Sequence, residues 1–211
     1  MLKKLFCLSG LCLLALSTQA KADTIGPNCA SCFGSTYTLT YTSTANPNVF
    51  DVNLAVDATG YTGGNTNLLN AVSLKIVSQD SDITAVSLLS APATFSSTQT
   101  GSLNANGCSG NGGGFFCSES STNGLQVGHS GDVYNFLYQV SLTSPSDLFL
   151  NANEASVRVL YLTSAGQQSG ITSENITLQP GTTPVPEPAS FVLLGSGLLG
   201  LAGAVRRKLS A

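Results

Sequence analysis

Between residues 36 and 57 the chain changes polarity at almost every step. Tyr37, Leu39 and Tyr41 interleave with Thr36, Thr38, Thr40 and Thr42; Phe50, Val52, Leu54 and Val56 interleave with Asp51, Asn53, Ala55 and Asp57. Successive side chains of an extended chain point to opposite faces, so a period of two gives one apolar and one wet face, whereas a helix repeats every 3.6 residues. The pattern returns at Val72, Leu74 and Ile76, across 83–89, at Tyr134, Phe136, Tyr138, Val140 and Leu142, at Val157, Val159 and Tyr161, and across 171–178. Turn formers separate these runs: Asn46-Pro47-Asn48, the Gly-rich stretch 60–65, Ala91-Pro92, Ser144-Pro145-Ser146 and Ala165-Gly166. No stretch between the two ends has a helical period. The expectation is an all-β fold, an antiparallel β-sandwich of about seven to nine half-buried strands, jelly-roll or immunoglobulin-like.

The ends differ in kind. Residues 1–22 carry Lys3 and Lys4, an apolar core from Leu5 to Leu16, and Ala20-x-Ala22 before Asp23, the layout of a cleaved secretory signal and its short helix. Leu11 before Cys12 is too large for a lipoprotein site, so Cys7 and Cys12 are expected to leave with the signal. At the other end, residues 189–205 are seventeen positions without a charge. As a helix they would span roughly 26 Å, close to the thickness of a bilayer's hydrocarbon core. Arg206, Arg207 and Lys208 follow, and cations flanking a short span resist translocation. The organisation expected is therefore a signal peptide over 1–22, an exported β-sandwich over 23–183, and a tail over 184–211 ending in a transmembrane helix and a cytoplasmic basic end.

Val185-Pro186-Glu187-Pro188-Ala189-Ser190, a Gly-rich apolar run and a basic terminus stand in that order. Together they resemble the PEP-CTERM sorting signal of exported proteins in Gram-negative, exopolysaccharide-making bacteria. The resemblance implies recognition of Pro186, Glu187 and Pro188 by an exosortase, a membrane-embedded cysteine transpeptidase-like enzyme, and removal of the helix. The residues read the same way alone: prolines remove backbone donors and favour an extended chain, so a peptidase just outside the membrane would meet a strand-like substrate. The expected location is an inner-membrane-anchored precursor, then the cell surface or the extracellular space.

Charge changes once the ends are set aside. Only Lys75 and Arg158 remain as cations against ten acids between Asp23 and Thr183, a net charge near −8. Such a surface cannot neutralise a row of phosphates, which argues against nucleic-acid binding, and it is repelled by anionic lipid.

Four cysteines survive processing: Cys29, Cys32, Cys108 and Cys117. In an oxidising space an even count favours disulfides, and four cysteines allow three pairings. Cys108 with Cys117 is favoured, because the glycines between them would otherwise make a costly excursion; Cys29 with Cys32 would close a shorter loop and gain less. A zinc centre is disfavoured by the eight residues separating the second pair. Redox catalysis would need Cys29 at a helix start, and no such helix is visible.

Catalytic candidates are few. His129, the only histidine, stands in Gly128-His129-Ser130-Gly131-Asp132, where Asp132 and the strand at Val133 replace the Gly and helix of a nucleophile elbow; a tight turn is expected. Asp80 and Asp82 do not fit the calcium-loop spacing. No catalytic residue, metal site or cofactor is assigned. Of the six tyrosines, five occupy strand positions and are expected in the core, while Tyr61, in the Gly-rich turn, is the candidate ligand contact. The function expected is a non-catalytic structural or adhesive protein of an exopolysaccharide matrix. A carbohydrate-binding module is the alternative, and a glycoside hydrolase-type enzyme using paired carboxylates is third.

Overall fold

The computed structural model describes residues 24–63 and 67–181. The signal segment, Pro186-Glu187-Pro188, the apolar run 189–205 and Arg206, Arg207 and Lys208 lie outside the described residues. Fourteen strands run in chain order: β1 (Thr24–Ile25), β2 (Thr36–Ser43), β3 (Val49–Asp57), β4 (Asn67–Lys75), β5 (Ile83–Ser90), β6 (Gln99–Thr100), β7 (Ser102–Asn104), β8 (Gly107–Gly110), β9 (Phe115–Glu119), β10 (Leu125–Gln126), β11 (Val133–Leu142), β12 (Ala155–Thr163), β13 (Gln168–Ile176) and β14 (Gln179–Pro180). One sheet has the order β1-β2-β3-β11-β5, with β14 also on β2; the second has β13-β12-β4-β9-β6, with β10 also on β4. β7 and β8 form a separate hairpin. Pairing is antiparallel except between β14 and β2, which run parallel. From β3 to β12 the long strands change sheet at every step: β3, β5 and β11 belong to the first sheet, β4, β9 and β12 to the second, where β13 then pairs with β12.

Alternation decides which side chains go inside. Phe50, Val52, Leu54 and Val56 of β3 are buried while the residues between them are half-exposed. In register beside them stand Tyr138 opposite Val52 and Phe136 opposite Leu54 on β11, with Leu39 opposite Leu54 on β2. The inner faces of both sheets share one core, to which the second sheet contributes Val72, Leu74, Val157, Val159 and Tyr161. Phe116 of β9 meets Tyr138 of β11 edge-on across the sandwich, ring centroids 4.9 Å apart. Each large apolar side chain so buried contributes about 1.5–3 kcal/mol.

β4 departs from the one-wet-face expectation, with every residue from Leu69 to Leu74 buried. The β7–β8 hairpin folds over the outer face of the second sheet, where Leu103 and Cys108 pack on Ala71, Cys117 and Leu160 in a second, smaller core. The cysteine-flanked excursion is thus a flap over the sheet. Arg158 ties it down, donating from Nη1 to Ser102 Oγ at 2.7 Å with its guanidinium 4.6 Å from the Phe115 ring centre. Gly114 accepts a left-handed φ of 76° where a side chain would run into the Val77 carbonyl, and its N–H donates to Asp80 Oδ1 at 2.7 Å.

Candidate functional site

The last described strand sets where the tail leaves. Gln179 and Pro180 pair with Thr40 and Tyr41, and the Gly181 N–H donates to the Tyr41 carbonyl. The chain therefore exits along the free edge of β2, heading toward the β2–β3 turn. The sorting segment follows directly.

Tyr61, the candidate ligand contact in the Gly-rich turn, is buried in the structure. Its ring is 8% exposed and lies 4.4 Å, centroid to centroid, from Tyr161. Its hydroxyl receives a hydrogen bond from Asn67 Nδ2 at 3.2 Å and lies 3.4 Å from Ser169 Oγ. Burial raises the phenol's pKa above its usual value. The reason for its position is the Cys29–Cys32 segment, which brings Phe33 onto the same aromatic cluster, 6.0 Å from Tyr61 and 6.2 Å from Tyr161. With Phe33 and Tyr161 against it and 8% of the residue exposed, Tyr61 presents little surface for a sugar ring. Tyr37, Tyr138 and Tyr161 are fully buried, as their strand positions imply, but Tyr41 and Tyr134 are only half-buried.

Beneath Tyr61 lies a run of buried hydroxyls that the sequence does not announce. Tyr37 Oη is 2.8 Å from both Tyr161 Oη and Thr172 Oγ1, Tyr161 Oη donates to Ser35 Oγ at 3.2 Å, and Thr172 Oγ1 donates to the Ser31 carbonyl at 2.8 Å. Burial pushes the Tyr37 and Tyr161 phenols up, so both stay neutral donors and acceptors. At the surface end of this run, Glu174 Oε1 accepts from Ser31 Oγ at 2.6 Å and from the Ser31 N–H at 3.2 Å. The N-terminal loop is thereby clipped onto β13 of the other sheet.

Both cysteine pairs are joined in the structure, Cys108 with Cys117 at a Cα separation of 5.6 Å and Cys29 with Cys32 at 5.2 Å. Among the described residues, Cys29, Cys32 and Glu174 bring metal-ligand atoms within 4.8 Å of one another, but the disulfide takes both sulfurs and Ser31 engages the carboxylate.

Several of the other described acids fasten turns and loops. Asp82 Oδ2 accepts from the Gln79 N–H at 3.0 Å and Asp147 Oδ2 from the Ser144 N–H at 2.9 Å, each closing a single 3-10 turn; Asp80 fastens Gly114 as above. His129 is in a turn entering β11: Asp132 Oδ2 accepts from its N–H at 2.7 Å and lies 3.2 Å from its Nδ1. Tyr134, beside Asp132 at 3.4 Å, has its pKa pushed up to about 12 by burial and by that neighbouring charge.

Residues 184–208 match the model of the PEP-CTERM protein-sorting motif. The chain thus carries the signature of exported, exosortase-processed proteins, which have a C-terminal membrane anchor before processing. Among the described residues no helix is long and apolar enough to cross a membrane. In overall structure the chain is similar to a cohesin module from a family 33 glycoside hydrolase of Clostridium perfringens ATCC13124, at 7% identity and a TM-score of 0.33, over 70% of this chain and 96% of that one. No curated protein sequence matches it.

Proposed function

We propose that this is a non-catalytic β-sandwich protein, exported, cut by an exosortase and then displayed at the cell surface or released into an exopolysaccharide matrix, where it acts as a structural or adhesive component. The observation that carries the reading is the sorting motif at 184–208, which begins just past a last strand fastened to β2. Pro186, Glu187 and Pro188 are the recognition residues, 189–205 the temporary span, and Arg206, Arg207 and Lys208 its cytoplasmic stop. Residues 23–183 form the exported domain, held together by the Cys108–Cys117 and Cys29–Cys32 disulfides. The alternation of long strands between sheets from β3 to β12 supports a jelly roll over an immunoglobulin-like sandwich. Several acids and the lone histidine are engaged in turns, which supports the non-catalytic reading over a hydrolase. The burial of Tyr61 weighs against a carbohydrate-binding module that stacks sugars on that ring.

The test is processing in a host with an active exosortase. Glu187→Ala, or deletion of residues 186–188, should leave a full-length membrane species while the natural chain is shortened at its C-terminus. Equal masses for the two after export would overturn the reading.

A further inference from the structure

At the end of the sandwich toward which the tail leaves, an uncharged groove of about 430 Å³ opens between Tyr41, Pro47, Phe50, Pro145, Leu148 and Leu150. Its walls are mainly apolar and its rim is exposed: Leu150 is 56% accessible, and Tyr41 stands edge-on to Phe50 at 6.1 Å. The chain's own path offers an occupant. β14 runs parallel to β2 and, at Gly181, points in the direction of Ser43, Thr44 and Ala45, which line the same groove. At roughly 3.3 Å per extended residue, three to five residues cover the distance. The residues next in the sequence are Thr182-Thr183-Pro184-Val185-Pro186.

We propose that this groove is the seat of the chain's own proline-rich linker, residues 182–186. The chemistry of the two surfaces matches. Proline-rich segments enter aromatic-lined grooves at low entropic cost, because their extended left-handed conformation is already set. Electrostatics fixes the end point. The neighbouring cleft, which shares Leu148 and Leu150, is lined by Asp82, Asp147 and Glu154 and repels a further carboxylate. Uncharged 182–186 therefore suit the groove, and the acidic cleft beyond it offers no favourable seat for Glu187. Docking follows from the path of the chain and holds whether or not an exosortase cuts it. Its consequence for processing, that the sorting residues stand at a fixed height over a folded domain, rests on the reading above.

The probe is the full-length precursor from an exosortase-free host, carrying Leu150→Cys with Val185→Cys and mapped by peptide mass after mild oxidation. Leu150 is exposed, so the fold tolerates the change. The expected result is an intramolecular 150–185 link at least about ten-fold above a Val133→Cys/Val185→Cys control, because seating raises the effective concentration of the pair. Val133 is also exposed but pairs with Asp57, at the far end of the sheet from Phe50. Adding Tyr41→Ser should lower the link toward the control. A yield no greater than the control overturns the proposal. So does a link formed only between two chains, which would make a second copy the occupant, or shielding of the Leu150→Cys thiol from a polar maleimide only when vesicles are present, which would make it lipid.

Discussion

Replacing Tyr161 by Phe should weaken the domain out of proportion to the single atom removed. The ring keeps its stacking on Tyr61 and its edge contact with Phe33, so apolar burial is unchanged. What is lost is the hydroxyl, 2.8 Å from Tyr37 Oη and 3.2 Å from Ser35 Oγ, both on residues with no exposed surface. A buried polar group deprived of a partner costs about 1–3 kcal/mol, against a net 0.5–1.5 kcal/mol for an ordinary hydrogen bond. Tyr37 keeps Thr172 as a partner, which limits the loss to about 1–3 kcal/mol in total. In a domain of this size that corresponds to a thermal midpoint lower by roughly 3–10 °C. Urea titration of the exported domain, with the slope unchanged, reads the same quantity. The double variant Tyr37→Phe/Tyr161→Phe should lose less than the sum of the singles, since the Tyr37–Tyr161 bond is counted twice in that sum. A Tyr161→Phe domain within about 0.5 kcal/mol of the natural one, or strict additivity in the cycle, would refute the claim that these hydroxyls form one connected network.

The same network gives a pH dependence. Tyr37 and Tyr161 have pKa values raised above 10.0 by burial, so the folded state favours the neutral phenols; this stability is complete below pH 10.0 and is lost as pH rises through the folded-state values. The urea midpoint should fall steeply above that pH, and Tyr37→Phe/Tyr161→Phe should flatten the fall. Cys108→Ser/Cys117→Ser should cost about 2.5–3 kcal/mol, the chain-entropy value for a loop of this length, and should raise amide exchange in β7 and β8 before the main sheets open.

The period-two runs are a sound guide wherever a strand has one wet face. β2, β3, β11, β12 and β13 lie where Tyr37–Tyr41, Phe50–Val56, Tyr134–Leu142, Val157–Tyr161 and 171–178 place them, because alternation records burial on one side. β4 is legible only in part, since the flap over its outer face buries both faces and blurs the period. β6 to β10 follow no pattern, because strands of two to five residues are too short to display a period and are held by pairing, the Cys108–Cys117 bond and single buried side chains such as Leu103 and Phe116. Tyr61 misleads for a related reason. Its neighbours are turn formers, and what buries it, Phe33 and Tyr161, is remote in sequence. The Ser31–Glu174 clip joins residues 143 positions apart, a pairing no local pattern encodes. The sorting motif, by contrast, is read from contiguous residues and needs no fold.

The most direct test of the whole account is the intact mass of the exported protein, measured together with its location. The mass should correspond to a chain that has lost both the segment before Asp23 and the apolar span 189–205, and the protein should be found outside the cytoplasm. A full-length chain that keeps residues 1–22 and 189–211, or one confined to the cytoplasm, would contradict it.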